Sequence, residues 1–315
     1  MLAEHRGRAQ ILAGGTDLLP RIRRRLQRPE YVISLKKLSV GKGIRLEGAG
    51  LRIGSMTTLA ELIASPVVKE HCTALREAAE SVAVPAIQQV ATLGGNICQD
   101  SRCLFYNQSH VWRRGNQACL KAGGEQCLAV PGSRICFSVY QGDLAPAILA
   151  LGGTLRIEKR GSSRTVPVDR LFTGKGKRPL DLHDDEFVTE LFLEISPGAG
   201  GSSYRKMRMR PAIDYPLVSA AVFVLLDGSG RITLARLALG GVGPAPVLLS
   251  RASDNLLGRQ SRSIDLDSLV TDITKGTAMV DNLPVPAAYR RKMAAVLVKR
   301  TLCASIDNAT GKREL

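Results

Sequence analysis

Four cysteines lie within thirty-four residues of this chain, and clustered thiols of this kind are typical metal ligands. Cys103, Cys119, Cys127 and Cys136 are separated by fifteen, seven and eight residues. In a reducing compartment such thiols hold metals more often than they form disulfides. The segment between them has no steady apolar period, and a long irregular loop inside a compact domain is usually functional. We therefore expect something other than a hydrophobic core to shape this loop.

Two kinds of metal site compete for the four thiols. Zinc held by four cysteines normally uses C-x2–4-C pairs, whereas no two of these cysteines are closer than eight positions. An iron–sulfur cubane also takes four thiolates, and separated loop positions can supply them. The spacing modestly favours iron–sulfur over zinc, and four unrelated thiols are the third interpretation. Cys98 matches no ligand position, while Cys72 and Cys303 are predicted to be core thiols.

Two paired-glycine turns are the second feature that could do chemistry. Gly14-Gly15 follows an apolar run at residues 9–13, and Gly94-Gly95 comes directly before the cysteine loop. Glycine lets backbone N–H groups approach a ligand closely, and a nest of such groups beside a helix N-terminus suits a phosphate or pyrophosphate. Neither turn has the G-x-G-x-x-G or G-x-x-x-x-G-K-[ST] pattern. Each alone could be an ordinary turn, but the two together suggest a bound dinucleotide.

Short strands and helices alternate around these turns, which predicts an α+β fold. The Gly- and Ser-rich residues 197–203 are the predicted linker between two domains. Apolar patterning predicts strands at residues 9–13, 31–35, 44–46, 51–53, 154–159, 164–168, 204–209, 217–226 and 232–239, and helices at 73–84, 144–151 and 289–302.

Composition narrows the class of protein. The chain has 315 residues, of which 44% are hydrophobic, so it can build two domains with sizeable cores. Its longest apolar run, residues 217–226, is too short to span a membrane and reads as a buried strand. The N-terminus lacks the apolar core of a signal peptide, so we expect a cytoplasmic protein without a membrane partner.

The net charge of +16 raises the question of an anionic partner. The run Arg21-Ile22-Arg23-Arg24-Arg25 with Arg28 would suit nucleic acid. However, aromatic residues make up only 4% of the chain and are not interleaved with the basic ones, so no stacking platform for bases is visible. We therefore expect no nucleic acid, and interpret the charge as a solvated basic face or a surface for an acidic partner or anionic ligand.

Four segments together resemble a known family. AGGTDLLP at residues 13–20, TLGGN at 92–96, GDLAPA at 142–147 and YRKMRMRPAIDYP at 204–216 are similar to the FAD site of the flavin subunits of molybdenum hydroxylases. That family includes xanthine dehydrogenase, aldehyde oxidoreductases and CO dehydrogenase, and the resemblance covers nearly the whole chain. It implies a PCMH-type FAD-binding domain of two α/β subdomains at residues 1–197. A C-terminal domain of the CO dehydrogenase type, a small antiparallel sheet plus helices, would follow at 202–306.

The resemblance also implies which residues contact the flavin nucleotide, although Lys206 and Asp214 are about as readily structural on spacing alone. The family normally has a strand and helix before the first glycine motif, whereas twelve residues precede Ala13 here, so these are expected to supply the tail of that helix and the next strand. No residue of this chain is implied to be catalytic. The implied cofactor-binding residues are Leu12, Ala13, Gly14, Gly15, Thr16, Asp17, Leu18, Leu19, Val82, Thr92, Leu93, Gly94, Gly95, Asn96, Asp143, Leu191, Lys206 and Asp214.

The cysteine loop, an insertion at about residues 98–141, points to one branch of the family. Its spacing resembles that of the β subunit of 4-hydroxybenzoyl-CoA reductase, which implies one 4Fe–4S cluster held by Cys103, Cys119, Cys127 and Cys136. The implied enzyme is a heterotrimer, or a dimer of heterotrimers, with a molybdopterin subunit and a 2Fe–2S subunit. It takes electrons from reduced ferredoxin and reductively dehydroxylates 4-hydroxybenzoyl-CoA to benzoyl-CoA. The alternatives are a flavin subunit of another molybdenum dehydrogenase or hydroxylase and a zinc-stabilised nucleic-acid-binding protein.

Overall fold

In the part of the chain that the structure describes, the fold consists of three separate sheets and a set of mostly short helices. The structure is a computed structural model, and it describes residues 1–38, 41–266, 277 and 279–311. The sheets have two, five and four strands. Antiparallel pairing in the two larger sheets, with helices packed against them, confirms the predicted α+β class.

The smallest sheet carries the first glycine turn. Strands β1 (Ala9–Leu12) and β2 (Tyr31–Ser34) pair in parallel, and helix α1 (Leu18–Arg23) lies between them in sequence. The chain leaves β1 through Gly14 and Gly15, and Gly15 has a left-handed φ of 79° that a side chain would disfavour. The predicted strand, turn and helix are therefore present in that order.

The five-stranded sheet and its helices form the main core. Its order is β3-β4-β7-β5-β6, all antiparallel, with fully buried leucines and isoleucines of β4 and β5 facing the helices. Thr58 begins α2 with a capping box, in which its side chain and that of Glu61 bond each other's backbone N–H groups. The bounds are β3 (Ile44–Glu47), β4 (Gly50–Gly54), α2 (Leu59–Ala64), α3 (Pro66–His71), α4 (Thr73–Glu80), α5 (Pro85–Gln88), α6 (Leu93–Ile97), α7 (His110–Arg114), α8 (Leu144–Ala150), β5 (Thr154–Lys159), β6 (Ser162–Pro167) and β7 (Phe187–Glu194).

The C-terminal part is an antiparallel sheet covered by one long helix. Its order is β11-β10-β9-β8, formed by β8 (Ala199–Met207), β9 (Val218–Leu226), β10 (Ile232–Gly240) and β11 (Val247–Leu248). The short helix α9 (Ser250–Asp254) follows, and α10 (Ala287–Ala309) packs across β8 and β9. No helix of the described residues has the length and apolar character needed to cross a bilayer.

Two sequence-based predictions were wrong in this region. Residues 199–203 are not a linker but the first half of β8. Gly201 has a packing reason, because a Cβ there would lie 2.1 Å from the carbonyl oxygen of Ser305 in α10. Cys303 is not a core thiol either, since it lies exposed on α10, whereas Cys72 is buried as predicted.

Candidate functional site

The two glycine turns, more than seventy residues apart in sequence, line one cavity of about 340 Å³. That volume lies within the usual range of small-molecule sites. Residues 180–188, which precede and begin β7, close the opposite side. Nine of the predicted cofactor-binding residues line it: Ala13, Gly14, Gly15, Thr16, Asp17, Leu18, Thr92, Gly94 and Gly95.

The first turn presents unused hydrogen-bond donors to this cavity. Among the residues that the structure describes, the backbone N–H groups of Gly14, Gly15 and Thr16 have no acceptor. Successive free N–H groups form a nest that binds anions such as a diphosphate. A Cβ on Gly14 would lie 2.0 Å from the carbonyl oxygen of Val90, so the turn also packs tightly against the segment that leads to the second turn. The donor set and the glycine cradle both fit a dinucleotide.

The N–H groups of the second turn are bonded to other groups of the protein. The N–H groups of Leu93 and Gly94 donate to the carbonyl oxygens of Thr57 and Ser55, and that of Gly95 donates to the Thr92 hydroxyl oxygen. Asn96 accepts a hydrogen bond from the backbone N–H of Leu144 at the start of α8. This turn therefore shapes the cavity wall, and its paired glycines have no free N–H groups, in contrast to Gly14 and Gly15 among the described residues.

An ionic network joins the first turn to the cysteine loop. The Asp17 carboxylate pairs with Arg102, and it lies 3.6 Å from Arg21 of α1. Arg21 in turn pairs with Asp100 at 2.5 Å, and Asp100 accepts from the buried Lys121 at 2.7 Å. The Asp17 carboxylate thus forms ion pairs with two arginines, Arg21 and Arg102. Sequence reasoning missed Arg21 as part of this site and missed Arg102 altogether, because no periodic pattern relates them.

Asp143 and Lys206 lie together in a buried polar cluster between the two main sheets. Their charged atoms are 3.0 Å apart, and both side chains are at least 95% buried. The Tyr204 hydroxyl donates to the same Asp143 oxygen at 2.7 Å. Burial, reinforced by the Asp143 charge, raises the pKa of Tyr204 well above its usual value, so this phenol stays protonated. Neither Asp143 nor Lys206 lines the glycine-turn cavity, and their visible contacts hold β8 against α8.

Replacing Lys206 by methionine is expected to destabilise the protein by about 3 kcal/mol, because it leaves a buried carboxylate without its cation. Unfolding in urea measures this change. The control variant Lys159→Met removes an exposed lysine at the end of β5, where little change is expected. A loss below about 1 kcal/mol, the value typical of exposed pairs, would contradict the burial of this ion pair.

Asp214 shapes the loop between β8 and β9. Its carboxylate accepts hydrogen bonds from the backbone N–H groups of Met209, Arg210 and Tyr215. The Tyr215 ring lies 3.7 Å from the guanidinium carbon of Arg102, a cation–π contact. Asp214 therefore acts on the first glycine turn only indirectly, through Tyr215 and the Arg102 side chain that pairs with Asp17.

The remaining predicted apolar contacts lie outside the cavity lining. Leu93 and Leu191 are fully buried in the main core, and Val82 packs against that core. Leu12 ends β1, and Leu19 is 44% exposed on α1. These side chains support the elements that carry the two turns.

The cysteine loop is closed at its base and irregular within. Arg102 and Val139 exchange both backbone hydrogen bonds, each 2.7 Å long, and so bring the two ends together. Inside the loop only α7 and one 3-10 turn, Leu120–Ala122, are regular. The loop therefore has little secondary structure, as predicted.

All four predicted ligand cysteines line one small apolar cavity in this loop, together with residues that include Phe105 and Tyr106. None of the cysteines forms a disulfide. Burial raises the pKa of Cys103 to about 11 and also raises the pKa of Cys136. Within the described residues, no three histidine, cysteine, aspartate or glutamate side chains converge closely enough to hold a single metal ion. A cubane differs from such a site because its four thiolates bind four separate irons.

Cys98 belongs to the other cavity. It lies at the C-terminal end of α6 and lines the glycine-turn cavity, and it does not face the four thiols. Burial raises its pKa to about 12, so it is a neutral thiol near neutral pH. This location explains why its spacing matches no ligand position.

A larger cleft of about 910 Å³ lies between α4, β8 and α10. It contains neither glycine turn and none of the predicted cofactor-binding residues. Size alone would favour this cleft, but only the smaller cavity is lined by the first turn, whose free N–H groups suit an anion such as a diphosphate.

Comparison with known proteins gives one consistent result. Residues 1–193 match the family described as the FAD binding domain in molybdopterin dehydrogenase, and residues 202–304 match the CO dehydrogenase flavoprotein C-terminal domain. The chain is 27% identical over 305 residues to a xanthine dehydrogenase FAD-binding subunit of Escherichia coli O157:H7, covering 96% of this chain and 91% of that protein. It is 26% identical over 298 residues to the carbon monoxide dehydrogenase medium chain of Hydrogenophaga pseudoflava, covering 94% and 89%.

The fold agrees with solved structures. The crystal structure of Cu,Mo-CO dehydrogenase in its cyanide-inactivated form matches with a TM-score of 0.79 and 25% identity. The match covers 98% of this chain and 93% of that one. The predicted order, a PCMH-type FAD-binding domain followed by a C-terminal domain of the CO dehydrogenase type, is confirmed.

Proposed function

This chain belongs to the FAD-binding subunits of the molybdenum hydroxylases, the family of xanthine and CO dehydrogenases, and from that premise we propose that it is the electron-transfer subunit of such a complex. The observation that carries the proposal is the cavity at the first glycine turn, where three successive backbone N–H groups have no acceptor among the described residues. We propose that the FAD-binding domain covers residues 1–197 and the C-terminal domain residues 202–306, close to the ranges that match the two families.

Different residues of the cavity would contact different parts of FAD. Gly14, Gly15 and Thr16 would donate to its diphosphate, while Thr92 and Gly95 would form the facing wall. FAD, when bound, supplies one- and two-electron redox chemistry. The chain's own part is to bind and orient the cofactor and to exclude water, for which it needs no catalytic acid or base. Asp143, Lys206 and Asp214 are proposed to support this site from the C-terminal side.

We further propose that the cysteine loop holds one 4Fe–4S cluster. The support is that Cys103, Cys119, Cys127 and Cys136 line one apolar cavity and are free of disulfides. Apolar surroundings and hydrogen bonds to sulfur are what tune the potential of such a cluster. The four thiols would need to open around it, since their present cavity measures only about 10 Å³. Because the loop backbone is irregular and makes few ladder hydrogen bonds, such an adjustment costs little free energy.

The loop also supports a finer assignment, to a 4-hydroxybenzoyl-CoA reductase. In that enzyme the chain would assemble with molybdopterin and 2Fe–2S subunits in the cytoplasm and receive electrons from ferredoxin. The relatives named above are a xanthine and a CO dehydrogenase, and they favour the broader alternative, a flavin subunit of another molybdenum dehydrogenase. The cysteine spacing is what favours the reductase.

Purification of the native complex would test this assignment. We expect two companion subunits, one with molybdopterin and one with 2Fe–2S clusters, and conversion of 4-hydroxybenzoyl-CoA to benzoyl-CoA with reduced ferredoxin. A complex that oxidises xanthine or another heterocycle and ignores the thioester would support the alternative. A chain that purifies alone, without flavin, would contradict both.

A further inference from the structure

A basic cleft lies on the surface between the first helix and the cysteine loop. Its volume is about 370 Å³, within the usual range of small-molecule sites. The residues that follow α1 form one wall, and α7 forms the other. We call it the arginine cleft, defined by Arg25, Arg28, His110, Trp112, Arg113 and Arg114. Its described lining has no residue in common with the glycine-turn cavity, so a ligand here would be separate from the flavin nucleotide.

The positive charge of the arginine cleft is concentrated, and no carboxylate is among the described residues that line it. Arg25, Arg28 and Arg114 are exposed, and their side chains form no ion pair or hydrogen bond with the described residues. Desolvation and then the charges of all four cleft arginines lower the pKa of His110, so the four guanidinium groups lie close to one point. Such a field attracts anions from solution.

Arg113 joins the two walls of the cleft. Its guanidinium donates to the backbone carbonyl oxygens of Arg24 and Arg25, at 3.0 Å each. Because the walls are already joined, little ordering is needed when a ligand binds. Lys121 also lines the cleft, but its ammonium group pairs with Asp100 at 2.7 Å. The three exposed guanidinium groups are therefore the ones that remain for a ligand.

Arg25 is held in an unfavourable backbone conformation. Its φ is 54°, in the left-handed region after the end of α1, where glycine is the usual residue. Keeping arginine there costs backbone energy that glycine would avoid. Strain of this kind is typical of functional positions. The position therefore indicates a use for the side chain, and it offers a variant, Arg25→Gly, that removes the charge while relieving the backbone.

The cleft also has an aromatic wall. Trp112 lines it and is 37% exposed, and the rings of Phe105 and Tyr106 line it as well. The planar guanidinium of arginine matches the oxygens of a phosphate group with two parallel hydrogen bonds. An aromatic ring stacks on a nucleobase whatever its identity. Arginines and an exposed indole in one cleft therefore favour a nucleotide over an inorganic anion.

We propose that the arginine cleft binds a nucleoside diphosphate or triphosphate. The phosphates lie against Arg25, Arg28 and Arg114, and the base lies against Trp112. Binding is noncovalent, and no electron, proton or group is transferred. The site is additional to the flavin cavity, and the inference does not depend on whether the cysteine loop holds iron.

Titration with ADP tests the proposal, using the full chain with its FAD bound and excess flavin removed. Trp112 is the only tryptophan of the chain, so a change in its fluorescence reports occupation of the cleft. Isothermal titration calorimetry gives the affinity. We expect saturable binding of one ADP per chain that weakens as salt is added. Pyrophosphate, which lacks the base, should bind about tenfold more weakly because it cannot stack.

The variant combines Arg25→Gly, Arg28→Gln and Arg114→Gln, and leaves Arg113 in place to join the walls. We expect its affinity for ADP to fall about tenfold, which corresponds to about 1.4 kcal/mol, the loss expected of three exposed charge contacts. Circular dichroism checks the fold. The single exposed change Arg28→Gln keeps the test decisive if the triple variant is unstable, with an expected loss of about twofold.

A matched control removes three charges elsewhere. Lys159→Gln, Arg160→Gln and Arg170→Gln replace exposed residues on and after the β5–β6 hairpin, and this variant should bind ADP as the wild type does. An equal loss in the control would mean diffuse attraction by net charge and would overturn the site. Undiminished binding by the arginine variant, or no binding by the wild type, would overturn it too. An arginine variant that no longer assembles with companion subunits would also overturn it, because the cleft would then be a subunit interface.

The flavin content of the same preparation separates this inference from the proposed function. A flavin-loaded chain that does not bind ADP would overturn the arginine cleft alone. A chain without flavin that binds ADP, and loses this binding in the arginine variant, would contradict the proposed function and support the cleft.

Discussion

Replacing Gly14 by alanine is expected to weaken FAD binding by about tenfold while the protein still folds. The added Cβ would lie 2.0 Å from the carbonyl oxygen of Val90. Because the clash is with backbone, no rotamer change can relieve it, and the first turn must move away from the segment before the second turn. Overpacking of this kind costs about 1–3 kcal/mol, and about 1.4 kcal/mol corresponds to a tenfold change in affinity.

Titration of the apoprotein with FAD, followed by quenching of flavin fluorescence, measures the effect. The control variant is Gly228→Ala, in the turn after β9, where a Cβ would meet nothing within 4 Å. It should bind FAD with wild-type affinity. Circular dichroism of both variants checks that the fold is retained. Equal affinities for Gly14→Ala and the wild type would mean that the flavin does not depend on the packing of the first turn.

Replacing Cys119 by serine should remove the iron from the protein and leave FAD bound. An alkoxide is a poor substitute for a thiolate on iron, and a cubane needs all four cysteine ligands. Cys119 lines the cysteine cavity and not the glycine-turn cavity, so the flavin site keeps its walls. Iron and acid-labile sulfide per chain, together with the flavin content, give the result.

Cys98→Ser provides the matched control for this substitution. It replaces the same sulfur by oxygen in a nearby cysteine, but Cys98 lines the glycine-turn cavity. The Cys98 variant should therefore keep its iron. If Cys98→Ser lost iron and Cys119→Ser kept it, the assignment of the four ligands would be wrong. Loss of both flavin and iron in Cys119→Ser would instead mean that the loop also shapes the FAD site.

Local patterning predicted most of the elements that carry the site. Strand β1, the Gly14-Gly15 turn and helix α1 follow from an apolar run that ends in paired glycines, and β9 follows from the long apolar run at residues 217–226. The exception is the first half of β8, because its glycines and serines are also typical of a linker and led to that prediction. Gly201 is small because α10 crosses it, and α10 begins more than eighty residues later. A local pattern cannot report a packing partner at that distance.

The contacts within the site could be predicted only in part. The two glycine turns meet as expected, yet sequence could not show that the paired glycines of the second turn have their N–H groups bonded while those of the first do not, within the described residues. That difference depends on how the second turn bonds to Ser55 and Thr57. The pairing of Arg102 with Asp17 and its stacking on Tyr215 join three distant segments. The orientation of Cys98 likewise depends on the rotation of α6, which the cysteine spacing does not encode.

Anaerobic purification followed by flavin, metal and sulfide analysis tests the central claim most directly. We propose that one chain holds both a flavin at the first glycine turn and an iron–sulfur cluster in the cysteine loop. We predict one FAD and about four irons with matching sulfide per chain, the content of one cubane on four thiolates. Zinc without iron, or a protein without flavin, would contradict the account.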